Sequence, residues 1–191
     1  MTHPNFLIVV ADDMGFSDAG CYGGEISTPT LDSLAANGLR FTQHYSCGRC
    51  WPSRACLLTG QYYQQAPNVR ADGSLPDWGR PLPHYLRPRG YRSYHSGKWH
   101  VNQFPWPCAH GGFDRSYYIR DYDHNFSVNR HSLDDEPLPP VGPAEGFYST
   151  SAIADRAIDF LEQHRQEHAE KPFFLYLAYI APHFPLHAPQ K

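Results

Sequence analysis

No stretch of this sequence holds the roughly 18 consecutive apolar residues that a membrane-crossing helix requires, so no span is expected. Charge of either sign is also in short supply. Sixteen Lys and Arg against 19 Asp and Glu leave a net charge of −3, without the footprint of a nucleic-acid or membrane-surface binder. The cysteines do not form an even set. Cys21, Cys47, Cys50, Cys56 and Cys108 are irregularly spaced, which argues against a disulfide framework and leaves at least one thiol for another task. Internal repeats and low-complexity tracts are missing, so a solenoid is not indicated. Met1-Thr2-His3-Pro4 leads straight into an apolar run with no visible signal peptide. The expectation is a cytoplasmic protein unless a leader lies outside this chain.

What is present fits one folded domain over residues 1–191, with 41% apolar and 18% charged residues. Eighteen prolines, 15 glycines, 13 tyrosines and 12 histidines mark a chain rich in loops, where sites are usually built on a rigid frame. Asn5–Val10 is a short β-branched apolar run that reads as a strand buried on both faces, as in a parallel sheet. Thr28–Gly38 reads as a helix: Thr28 as cap, Pro29 in first position, Leu31, Leu34 and Ala35 on one face, Gly38 at the end. Leu39–Ser46 alternates loosely as a strand does. A second helix is expected from Pro52 to Gly60, then a short one over Pro83–Arg89 broken at Pro88, and a strand over Tyr91–His95.

Residues 102–148 lack periodicity and read as long loops with room for short strands. The clearest helix is Ser149 to about His168, with an apolar stripe of Ile153, Ala154, Ala157, Ile158 and Leu161. Phe173–Ile180 is another buried strand. The alternation of strands and helices indicates an α/β layer fold.

Four segments carry chemistry. Cys50-Trp51-Pro52-Ser53-Arg54 comes first: with Pro52 as first helical residue, Cys50 stands just outside a helix amino terminus, where free N–H groups favour anions and thiolates. Arg54, four residues on, can reach back over that position. On spacing alone three readings stay open: this anion-facing nucleophile, a thioredoxin-like Cys47-x-x-Cys50 redox pair, or ordinary half-buried thiols. Asp12-Asp13 follows the first strand, and two neighbouring carboxylates meet one ion only where the strand has ended; a hard cation or a solvated turn cap would both explain them. In Gly97-Lys98-Trp99-His100, Lys98 and His100 face the same way if extended, suiting an oxyanion and a proton transfer; a surface Lys beside a packed Trp is the plainer alternative. Last comes Pro182-His183-Phe184-Pro185, after the Phe173–Ile180 strand.

Together these segments resemble the sulfatases. Cys50-x-Pro-Ser-Arg-Ala-x-Leu-Leu-Thr-Gly60 is similar to the family's signature, whose cysteine is oxidised to Cα-formylglycine, and the other three motifs follow in the family's order across nearly the whole chain. The resemblance implies an alkaline-phosphatase-like α/β fold with a central, mostly parallel sheet and helices on both faces, incomplete at the C-terminus. It implies a sulfuric ester hydrolase, arylsulfatase-like, acting on carbohydrate or aryl sulfates, with the formylglycine-generating enzyme as a transient partner. Asp12, Asp13 and the group derived from Cys50 would bind Ca²⁺, with Mg²⁺ as the alternative. Arg54 and Lys98 would neutralise sulfate oxygens, His183 would protonate the departing alcohol, and His100 would help expel sulfate; His187 reads as a neighbour of His183.

The family's Asp-Asn (or Asp-Gln) metal pair and second active-site lysine cannot be assigned before Lys191. A fragment or truncated, catalytically incomplete product is therefore expected. Related phosphonate monoester hydrolases share the formylglycine device and are the nearest confusable activity.

Overall fold

A computed structural model describes residues 3–190. Six strands form one sheet in the order β1-β6-β2-β3-β4-β5. Its parallel part comprises β1 (Phe6–Val10), β6 (Phe173–Ala178), β2 (Arg92–Lys98) and β3 (Arg115–Ile119). β4 (His131–Leu133) and β5 (Glu136–Pro137) complete it as an antiparallel margin. The expected α/β sheet is thus present, and the segment without periodicity holds β3, β4 and β5 among its loops. Strands of two to five residues are too short to leave a readable alternation.

Side-chain alternation on β6 sorts the core into two layers. Phe174, Tyr176 and Ala178 face α2 (Cys50–Thr59), packing with Ala55, Leu58, Trp99, Phe104 and Phe113. Leu175, with Tyr94, Tyr117 and Ile119, faces α4 (Ser149–Glu167) through Ile153, Ala157 and Phe160. Helices therefore cover both faces. The buried row of α4 is Ile153, Ala157, Phe160 and His164, not the expected stripe in full: Ile158 is 54% exposed. His164 replaces an apolar residue because the Tyr94 hydroxyl and the Lys171 carbonyl satisfy its ring nitrogens.

β1 departs from expectation. It is an edge strand, with Leu7 56% and Val9 54% exposed, so its continuous apolar run is not buried on both faces among the described residues. α1 (Pro29–Asn37) forms as the capping and proline signals require, yet Leu34 is 66% exposed and no residue of the helix is buried. Thr28 occupies the cap position without capping: its hydroxyl donates to Asp32 and accepts the Gly20 N–H. Leu39–Ser46 forms no strand, since no neighbouring edge supplies hydrogen bonds to it. α3 (Leu82–Leu86) passes into a 3-10 turn over Arg87–Arg89, and Gly90 ends it in the left-handed conformation before β2.

Candidate active site

Because β1, β6 and β2 are adjacent and parallel, their carboxyl ends lie along one edge of the sheet, the usual place for ligands in α/β folds. Asp12-Asp13 leaves β1, Lys98 ends β2, and His183 follows β6. The edges are stitched by the Tyr179 N–H donating to Val10 (2.9 Å) and the Asp12 N–H donating to Ala181 (3.1 Å). Asp13 adopts a left-handed φ of 61°, so the strand has indeed ended where two adjacent carboxylates must turn to one side.

α2 brings its amino terminus to the same edge. It begins at Cys50 itself, with Arg49 as cap residue and Pro52 third, so Cys50 is the first helical residue and not the one before. Pro52 is tolerated there because no N–H of the first turn has an intrahelical partner. A pocket of about 620 Å³ opens between these parts, lined by Asp12, Asp13, Cys47, Cys50, Arg54 and Cys56 among others.

Inside it, Cys50 Sγ lies 3.5 Å from His100 Nδ1. Arg54 Nη1 donates to the Lys98 carbonyl (2.8 Å) and to the Tyr176 hydroxyl (3.3 Å). Arg54 Nη2 stands 3.1 Å from Asp12 Oδ1, but this buried nitrogen has no acceptor in hydrogen-bonding geometry. Lys98 Nζ donates to Asp12 Oδ2. The side chains of Asp12, Arg54 and Lys98 are each 3% exposed or less. Lys98 is therefore no surface lysine and Asp12 no solvated cap. Asp13 is more open, and its Oδ2 lies 3.6 Å from His183 Nε2.

Burial alone would raise the Asp12 carboxyl; the Lys98 hydrogen bond and the Arg54 charge outweigh it and hold Asp12 below the usual carboxylate range. His100 moves the other way. Burial first, then the charges of Lys98 and Arg54, push it down to about 4, so its imidazole is neutral near pH 7. The result is a cationic floor with one neutral base beside the helix terminus, suited to an anion that must lose or gain a proton.

The expected convergence of Lys98 and His100 occurs by a different route. The segment is not extended at His100, whose φ is +45°; this turn swings the imidazole to Cys50 while Lys98 reaches Asp12. His183 joins the group through Asp13, whereas His187 packs against Phe126 at 5.9 Å. The Cys47-x-x-Cys50 pairing is not formed: Cys47 Sγ rests 3.1 Å from Cys56 Sγ, and all five cysteines are free. Two tyrosines escaped the motif reading. Tyr122 lies over Lys98 Nζ at 4.2 Å and beside the His100 ring at 5.3 Å. Nothing in its aperiodic neighbourhood signals this. Tyr176 could have been found from strand alternation, which puts it on the α2 side of β6.

Among the described residues, no three His, Cys, Asp or Glu side chains gather closely enough to enclose a metal ion. Asp12 and Asp13 nevertheless offer hard oxygen donors at the pocket that contains Cys50, which fits part of a Ca²⁺ or Mg²⁺ ligand set. No helix among these residues is long and apolar enough to cross a membrane.

The profile of the sulfatase family matches residues 4–191. Arylsulfatase J of Mus musculus is 34% identical over 98% of this chain and 34% of its own length. N-acetylgalactosamine-6-sulfatase of Canis lupus familiaris is 34% identical over 97% of this chain and 41% of its own. Among solved structures, Ps i-CgsB in complex with k-i-k-neocarrahexaose superposes with a TM-score of 0.79 at 28% identity, covering 97% of this chain and 47% of that one. A protein solved with its substrate D-glucosamine-2-N,6-O-disulfate gives 0.77 at 28% identity, over 95% and 35%. The chain thus spans roughly two fifths of the curated relatives it matches. By family profile, by relatives and by structural neighbours, this chain belongs to the sulfatase family.

Proposed function

We propose that this chain carries the nucleophile and the sulfate-binding groups of a sulfuric ester hydrolase. The observation that supports this most is the placement of Cys50, at a helix amino terminus, against a neutral His100 and beside a buried Arg54 nitrogen without an acceptor. Cys50 is the residue that the formylglycine-generating enzyme would convert. Asp12, Asp13 and the group at position 50 would hold Ca²⁺, or Mg²⁺ in its place. When bound, the cation and the aldehyde derived from Cys50 supply a nucleophile for sulfur.

The chain's own residues do the rest. Arg54 Nη2 and Lys98 Nζ bind sulfate oxygens and offset the charge that grows on them. Arg54 is oriented for this by the Lys98 carbonyl and the Tyr176 hydroxyl, and Lys98 by Asp12 and the Tyr122 face. His100 takes a proton through Nδ1 from the group at position 50. His183 turns Nδ1 to the Phe184 carbonyl and holds Nε2 3.6 Å from Asp13 Oδ2, and from this place it would protonate the departing alcohol. The substrate class is a sulfate ester of a carbohydrate or an aryl alcohol; the sulfated-sugar ligand of one structural neighbour and the amino-sugar sulfatases among the relatives support the former.

Trypsin isolates Cys50–Arg54 as one peptide. Mass spectrometry of that peptide, from a host with the converting enzyme, is expected to show an aldehyde or its hydrate in place of the thiol. An unmodified thiol there would count against the reading. Cys50→Ala in the full-length protein is expected to abolish aryl sulfate turnover, and retained turnover would sink it.

A further inference from the structure

Two thiols on the rim of this pocket lie outside the reacting set. Cys47 Sγ and Cys56 Sγ are 3.1 Å apart, closer than two non-bonded sulfurs usually rest, and both line the pocket. The approach is built into the backbone. The Cys47 N–H donates to Ser53 Oγ (3.1 Å), and that hydroxyl donates to the Arg49 carbonyl (2.7 Å), which draws the Ser46–Arg49 loop onto α2. Ser53 and Cys56 are three apart on one helix face, so the same face holds the main chain and the sulfur of Cys47. Cys50 opens the helix and turns its sulfur to His100 instead.

We propose that Cys47 and Cys56 form a reversible thiol–disulfide site that reacts with low-molecular-weight disulfides of the glutathione class. Cys47 is exposed and Cys56 half-buried, so an incoming disulfide meets Cys47 first. The Cys47 thiolate attacks one sulfur of the small disulfide, forming a mixed disulfide and releasing one small thiol. The Cys56 thiolate then attacks the Cys47 sulfur, forming the Cys47–Cys56 bond and releasing the second. The protein loses two electrons and two thiol hydrogens, and the small disulfide becomes two thiols. Burial and the contact with Cys47 raise the Cys56 thiol above its ordinary range, consistent with Cys56 as the resolving partner.

The bond would fasten the loop to α2 in a ring that contains Cys50 and Arg54. It would also occupy the one sulfur that the local sequence brings near Cys50 in a C-x-x-C spacing, leaving Cys50 free for its own chemistry. This inference does not depend on sulfate-ester hydrolysis and is tested without an activity assay.

The sequence allows a clean test. Trypsin cuts after Arg40, Arg49, Arg54 and Arg70, giving Phe41–Arg49, Cys50–Arg54 and Ala55–Arg70 with one cysteine each. The protein is made without the converting enzyme, so that Cys50 stays a competing thiol, then held in oxidised and reduced glutathione, alkylated and digested. The expected product is Phe41–Arg49 joined to Ala55–Arg70, about 2 Da lighter than the two free peptides and separated again by reductant. It should exceed the Phe41–Arg49/Cys50–Arg54 product by about tenfold in folded protein, a preference that disappears in urea. Cys56→Ala is expected to leave Cys47 as a glutathione mixed disulfide. Joining of Cys47 to Cys50 as the main product, or thiols at Cys47 and Cys56 that stay free or carry only glutathione in the wild type, would overturn the proposal.

Discussion

Arg54 and Asp12 meet 3.1 Å apart, one from the second turn of α2 and the other from the bend after β1, with both side chains 3% exposed. Lys98 completes the pair from β2. Removing the shared carboxylate leaves two buried cations without compensation. Asp12→Ala is expected to cost about 3–5 kcal/mol of stability, read as a lower midpoint in urea denaturation. Adding Lys98→Met should recover part of that loss, because one uncompensated charge leaves with it. An Asp12→Ala protein as stable as wild type would show that the ion group is solvated.

Gly97 lies close against β6, with no room for a side chain. Its φ is +115°, and a Cβ built there would run into the Ala178 carbonyl, its register partner. Gly97→Ala is expected to cost more than about 2 kcal/mol from backbone strain alone and to shift Lys98 and His100, its neighbours in the motif. Thermal unfolding together with amide exchange along β2 and β6 would register both effects.

His95 supplies the pH dependence. It is fully buried among Trp99, Phe113, Tyr118 and Tyr176, and burial pushes it down from 6.5 to about 3. Between those values the unfolded chain binds a proton that the folded chain refuses. Stability is then complete above about pH 6.5 and falls as the pH drops towards 3, by a few kcal/mol for this group. His100, pushed to about 4, and His84 and His164, shifted the same way, contribute in the same direction. His95→Phe should flatten the slope without abolishing it, measured as urea midpoints across that pH range, at some cost from the Ser116 hydroxyl that loses its partner.

Tyr122 is expected to act through its face. Loss of the ring over Lys98 in Tyr122→Leu removes about 0.5–2 kcal/mol of cation–π attraction, or roughly 2- to 30-fold in turnover of an aryl sulfate by the full-length protein. Tyr122→Phe keeps the face and loses only the bond to the Tyr118 hydroxyl, so it should stay near wild type. Equal losses in both variants would assign the effect to the hydroxyl.

Local signals account for most of this architecture. Pro29 and Gly38 bracket α1, Gly60 ends α2, and the continuous apolar run Phe173–Ile180 finds the strand between β1 and β2. Asp12, Cys50, Arg54, Lys98 and His183 are legible as candidates because each lies at or near one end of an element that the sequence marks: Asp12 and His183 just after β1 and β6, Lys98 at the end of β2, Cys50 and Arg54 in the first turns of α2. The misreadings share a cause. Apolar content states that a strand or helix wants cover, not that cover is present, so Val9 and Leu34 gave no warning of their exposure. The conformation of His100 and the position of Tyr122 are set by contacts between distant segments, which local periodicity does not record.

The bare flank of β1 has a practical consequence. Its outward N–H and C=O groups, bordered by oily side chains, offer a template to any extended peptide nearby. Produced by itself, this stretch should stick to its own copies as concentration rises. Sedimentation would show the drift to heavier species, and a lysine in place of Leu7 should suppress it.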